Sequence, residues 1–248
     1  MRISPETISM GLSWAHARTQ SFRASREGRK PLHFIHVGKT GGSAIKEALS
    51  GHELTREYRI VLHEHAFRLA MVPAGEQAFL FLRDPASRFV SGFNSRMRKG
   101  QPRYYYEWTR AEKTAFTLFK SAEELALALG SSDSEQREEA ETAMRAIQHV
   151  RDSYDSLFGG LTGLQALENR IAFVGFHNDM TAGFESLKTL AGLPGGLQLP
   201  GDEIGAHRAP AGISKRIGDE ARANVRKWYA EDYRIYDYLH GKWPTVSN

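Results

Sequence analysis

The stretch His33-Phe-Ile-His-Val-Gly-Lys-Thr-Gly-Gly-Ser43 leaves this chain few folds to choose from. Leu32 to Val37 is an apolar, strand-like run. Lys39-Thr40-Gly41-Gly42-Ser43 is a tight turn, and Ala44 to Ser50 is compatible with a helix. Strand, turn and helix in that order gather backbone N–H groups and a helix N-terminus around one small volume, which suits a phosphate or sulfate group. Lys39 adds a mobile positive charge, Thr40 and Ser43 add hydroxyls, and Gly41 and Gly42 let an anion approach the backbone. The nucleoside-triphosphate loop G-x-x-x-x-G-K-[ST] does not fit. Gly38-Lys39-Thr40 supplies its end, but its first glycine would fall on His33.

A second segment has the same build. Phe79 to Leu82 is an apolar run of strand length, Arg83-Asp84-Pro85 follows, and a helical pattern runs from Ala86 to about Lys99. Asp84 is placed to cap that helix and Pro85 suits its first position. Arg83 at the strand end and Ser91 on the helix form a candidate site for a second phosphate. Further strand candidates are Arg59–Leu62 and Ile171–Phe176. Brief apolar runs bounded by helical sequence predict an α/β fold, a parallel sheet covered on both faces. Lys39, His63/His65 and Arg83 each follow a strand candidate, as expected for one crevice beyond the carboxyl ends of the strands. Strand alternation would put His63 and His65 on one side. Either imidazole has the pKa of a general base near neutral pH. A His-x-His metal site is the competing reading, but it lacks an evident third ligand.

The charges narrow the function classes. Lys and Arg number 33 against 29 Asp and Glu. Residues 1–30 hold six cations against Glu6 and Glu27, which accounts for the whole excess. This predicts a flexible basic N-terminal arm over 1–30, a single domain over 31–248, and no nucleic-acid-binding surface. No cysteine is present, so disulfides and thiolate metal sites are excluded. No run approaches the ~18–20 apolar residues of a membrane span. A mainly helical insertion is expected over about 100–170. Ser121 is a candidate cap of one helix there, and Ser132 or Asp133 of the next.

Gly38-Lys39-Thr40-Gly41-Gly42-Ser43 and Arg83-Asp84-Pro85-Ala86-Ser87-Arg88-Phe89-Val90-Ser91 together resemble two motifs of the sulfotransferases that use 3′-phosphoadenosine 5′-phosphosulfate (PAPS), closest to their carbohydrate branch. Phe173-Val174-Gly175-Phe176 and Glu231-Asp232-Tyr233-Arg234-Ile235-Tyr236 are weaker similarities. The resemblance implies a P-loop-like parallel sheet flanked by helices and a metal-free transfer of the sulfuryl group to an acceptor hydroxyl. It implies that Gly38 to Ser43, with Ala44 at the helix start, hold the 5′-phosphosulfate, and that Arg83 and Ser91 hold the 3′-phosphate. It assigns the base to a histidine after the second strand, His65 here, with His63 in reserve. Arg208 and Lys215 are candidate nucleotide contacts from the loop before the last helices. There the chain reads His207-Arg208-Ala209-Pro210 where the family often has Asn-x-Ser/Thr. A carbohydrate or glycolipid acceptor is expected, with Tyr104-Tyr105-Tyr106 and nearby cations on the acceptor side. Without cysteines or an apolar span, the chain is expected to be a soluble, cytoplasmic, bacterial-type relative. A nucleotide kinase or ATPase, and a non-catalytic glycan- or protein-binding module, are the rival readings.

Overall fold

The computed structural model describes residues 5–102, 104–201 and 214–243. Four parallel strands, β1 (Lys30–Ile35), β2 (Tyr58–Leu62), β3 (Gln77–Leu82) and β4 (Ile171–Phe176), form one sheet in the order β2-β1-β3-β4. Each strand matches its expected position, because a strand buried on both faces must be an almost unbroken apolar run. From β1 the chain crosses to β2 on one side and then returns to place β3 on the other. The carboxyl ends of β1 and β3 therefore flank a topological switch point, where doubly wound sheets open a crevice.

Helix α1 (Pro5–Arg26) precedes the sheet, and α2 (Gly42–Leu49) follows β1 directly. Next come α3 (Pro85–Met97) after β3, then α4 (Arg110–Leu118), α5 (Ala122–Ala128), α6 (Ser134–Ala146), α7 (Tyr154–Phe158) and α8 (Gly160–Leu167) before β4. Helices α9 (Met180–Ala191), α10 (Asp219–Trp228) and α11 (Ala230–Lys242) complete the domain. The expected helical insertion is thus α4 to α8. Ser121 caps α5 by accepting from Glu124 N, and Asp133 rather than Ser132 caps α6.

The basic N-terminal segment is not the flexible arm its charge suggests. From Pro5 it is helical. Ala17 and Ala24 are fully buried, Ser21 Oγ donates to Glu76, and Arg59 on β2 pairs with Glu27 just beyond the helix. Two buried alanines seven apart leave almost no hydrophobic signal of this packed face in the sequence.

Asp84 caps α3 as expected, accepting from Ser87 N at 2.8 Å, with Pro85 at the first helical position. The Glu231-Asp232-Tyr233 stretch secures the same region. Buried Asp232 accepts from Tyr154 N and Asp155 N and faces Arg88 at 3.9 Å, while Tyr233 Oη donates to Asp84 at 3.1 Å. A second buried pair ties α3 to α4: Arg96 donates to Glu112 from Nε at 2.7 Å and Nη2 at 2.8 Å. Glu112 also accepts from Thr109 N and Gln148 N, and with the arginine these donors hold its carboxyl at about 2 against the cost of burial. Glu112→Gln leaves a buried guanidinium without its counter-charge and is expected to cost about 3–5 kcal/mol in denaturant unfolding. A loss below about 1 kcal/mol, the range of exposed pairs, would contradict this.

Candidate active site

The turn after β1 is built by backbone conformation. Lys39 has φ 67° and Gly41 φ 90°, both left-handed, so the chain reverses within a few residues and α2 starts at Gly42 with no side-chain cap. The positive φ at Gly41 favours glycine. A methyl there would also lie 2.7 Å from Met180 Cε, and one on Gly42 would lie 2.2 Å from His36 Cδ2. The bare helix start faces a cleft of about 650 Å³. Lys39, Gly41, Gly42, Ser43 and Ala44 line one side of it; Arg83, Ser91 and His177 contribute from β3, α3 and the end of β4. The two anion motifs read from the sequence therefore share one crevice at the switch point.

This cleft is electropositive. Lys39 is pushed down to about 8, first by burial and then by the charges of Arg83, Arg98 and Arg88. Arg83 Nε and Arg98 Nη1 are buried without a hydrogen-bond partner. Buried guanidinium N–H groups are normally satisfied, and three cations crowding a lysine are relieved when an anion sits among them. Arg88, by contrast, is committed: its Nε donates to Gly38 O at 3.0 Å, and Asp232 and the Tyr154 ring hold the rest.

Three more histidines, His36, His65 and His149, line the cleft. His65 Nδ1 lies 3.0 Å from His36 O. A carbonyl only accepts, so Nδ1 carries the proton and Nε2 keeps its lone pair. The His65 ring packs against His36 at 3.9 Å between centroids, and His149 lies 6.5 Å away on the other side. Burial lowers the pKa of both His65 and His149. Asp152 faces His149 Nδ1 at 3.6 Å and is itself held at about 2 against burial by that histidine, with Arg88 and Arg151 adding to the effect. His36, His65 and His149 also border a second cavity of about 590 Å³, which Ser9, Met10, Asp152 and Leu157 help to line. His65 thus stands between two open volumes, one cationic and one mixed.

Several expected site residues are placed elsewhere. His63 is 2% exposed and turned into the body. Its Nε2 is 2.8 Å from His33 Nδ1, it stacks on Phe67, and burial drives it to about 2. It cannot serve the cleft as a base in reserve. The strand ends at Leu62 and the chain then turns, so the two-residue alternation does not carry His63 and His65 to one side. Glu64, between the two histidines, pairs with Lys46. The Thr40 hydroxyl is spent on Val37 O at 2.9 Å, and Ala44 N–H on Gly41 O at 3.0 Å. Gly38 contributes its carbonyl to Arg88 and borders the second cavity. Lys215 is exposed and does not line the cleft, and Arg208 lies outside the described residues. Of the tyrosines, Tyr104 lines the cleft, while Tyr105 and Tyr106 are exposed.

Sequence reasoning missed His36, His149 with Asp152, and His177. His36 belongs to the very turn segment that drew attention to Lys39, so its signal was present. His149 had none: it is a lone histidine in the turn after α6, with φ 67°, brought in by tertiary packing. Among the described residues no cluster of three or more His, Cys, Asp or Glu is arranged to hold a metal ion.

No curated protein matches the chain. A family model does, over residues 23–239, a span that takes in the strand–turn–helix cradle, the Arg83–Ser91 segment and His65: the chain belongs to the sulfotransferase family.

Proposed function

We propose that the protein is a PAPS-dependent O-sulfotransferase acting on a hydroxyl of a carbohydrate or glycolipid. The observation that carries this reading is the shared cleft, which Lys39 and the glycine turn line together with Arg83 and Ser91. A doubly phosphorylated adenosine needs two anion sites on one surface, and ATP has no 3′-phosphate to use the second. The partnerless Arg83 Nε and the uncapped start of α2 on the same cleft fit such a group. When bound, it supplies the activated sulfuryl group; the chain's own residues do the rest. Gly41 to Ser43 and Lys39 hold the 5′ side, and Arg83 and Ser91 hold the 3′-phosphate. His65 Nε2 takes the acceptor's proton as the acceptor oxygen bonds to sulfur and the sulfur–oxygen bond to the phosphate breaks. Lys39 stabilises the charge left on the departing oxygen. The second cavity, on the far side of His65, takes the acceptor, and the exposed Tyr105 and Tyr106 offer faces on which sugars stack.

Transfer of labelled sulfate from PAPS to a panel of glycans, glycolipids and small phenols tests the reading; no transfer to any of them would favour a binding module. The pH profile tests the roles. His65 acts as base only when neutral, and burial places its pKa below 6.5, so kcat/KM falls on the acid side only below the ordinary histidine range. Lys39 acts only when charged, so kcat/KM falls on the alkaline side as pH rises through about 8. A bound anion favours the ammonium form, so the alkaline limb of kcat lies higher than that of kcat/KM. Lys39→Arg should abolish that limb, and an unchanged limb would assign it to another group.

A further inference from the structure

Exposed apolar side chains gather on α1. Leu12 is 68% exposed, Trp14 54% and Phe22 65%. The opposite face of the helix is already used, through Ala17, Ala24 and Ser21, against the body of the domain. Arginines alternate with the exposed rings: Arg18 lies over Trp14 at 5.7 Å and Arg26 over Phe22 at 6.0 Å. No Asp or Glu occurs from Ser9 to Arg26, and the first thirty residues carry the chain's entire cationic excess. Exposed rings beside arginines, on a segment without a carboxylate, suit a headgroup layer, where aromatic rings settle and guanidinium groups meet lipid phosphates.

We propose that α1 docks along its length on a bilayer surface bearing anionic lipids, through Leu12, Trp14 and Phe22 with Arg18, Arg23 and Arg26. The helix is fixed to the sheet by Ser21–Glu76 and by the Arg59–Glu27 pair beside its end, so docking orients the whole domain. Ser9 and Met10 of the same helix border the second cavity, which holds that cavity's rim beside the headgroups. The docking does not depend on the reaction proposed above.

Co-sedimentation of the full chain with vesicles of phosphatidylcholine alone, and of phosphatidylcholine mixed with phosphatidylglycerol, tests the proposal. Binding is expected to the mixed vesicles, to weaken with added salt, and to be slight for phosphatidylcholine alone. Arg18→Glu, Arg23→Glu and Arg26→Glu combined should weaken it about a hundredfold or more, since each cation near an anionic surface contributes about fivefold. Trp14→Ala with Phe22→Ala should weaken it about tenfold or more, whereas replacing all three arginines by lysine should retain it. Affinity for 3′-phosphoadenosine 5′-phosphate, measured on every variant, should match the parent's and reports an intact fold. A parent that binds vesicles but not the nucleotide would refute the reaction and leave the docking standing. Absence of binding to mixed vesicles, or equal binding by the charge-reversed variant, would overturn the proposal. So would a dimer that Phe22→Glu dissociates, in a chain that ignores vesicles.

Discussion

His65→Asn is expected to lower kcat by roughly 10²–10⁴-fold, the usual worth of a positioned general base. Affinity for 3′-phosphoadenosine 5′-phosphate should be unchanged, because the cationic groups that line the cleft, Lys39 and Arg83, are untouched. Asparagine keeps a polar group near His36 O but offers no proton acceptor of imidazole basicity. The acid limb of the pH profile should vanish with the activity. His63→Asn is the contrasting case. His63 sits in a buried chain running through His33 to Glu76, with Nε2 and Nδ1 2.8 Å apart and His33 Nε2 2.6 Å from the carboxylate. Its replacement should lower stability and leave the turnover of folded protein near normal. A variant pair with the two effects exchanged would show the base to be wrongly assigned.

Lys39→Ala should cost about 10²–10³-fold in kcat, the loss seen when one donor to a developing negative charge is removed. The argument rests on position and on electrostatics together. Lys39 has left-handed backbone and lines the cleft together with the start of α2, where no side chain caps the helix. Burial and three nearby arginines hold its pKa at about 8, so the ammonium is partly destabilised until negative charge arrives. An interaction that strengthens as charge builds on the leaving oxygen accelerates the step, and one of equal strength throughout does not. Lys39→Ala should therefore lower kcat more than it raises KM. An effect confined to KM would reduce Lys39 to a ground-state binding residue.

The sheet was legible because a parallel strand covered on both faces has to be written as an apolar run, and Leu32–Val37, Phe79–Leu82 and Ile171–Phe176 are such runs. The strand–turn–helix was legible for a related reason: a helix start that closely follows a strand needs glycine at the reversal, and Gly41 supplies it at φ 90°. Residues placed by long-range packing were not legible. His149 reaches the cleft because Glu112, itself held by Arg96, accepts from Gln148 N and so positions the neighbouring backbone. His63 was misread because alternation was extended beyond Leu62, where the strand had ended. Helix α1 was misread because its contact with the sheet is made by small side chains while its large apolar ones face outward, the reverse of an ordinary amphipathic surface helix.

The central claim is that one doubly phosphorylated adenosine spans the cleft from the glycine turn to Arg83 and Ser91. Titration calorimetry in the presence of a chelator, comparing 3′-phosphoadenosine 5′-phosphate with AMP, tests it most directly. The account predicts tight binding of the bisphosphate without a divalent cation, much weaker binding of AMP, and a gap that Arg83→Ala largely closes. Equal affinity for the two nucleotides, or a gap untouched by Arg83→Ala, would contradict it.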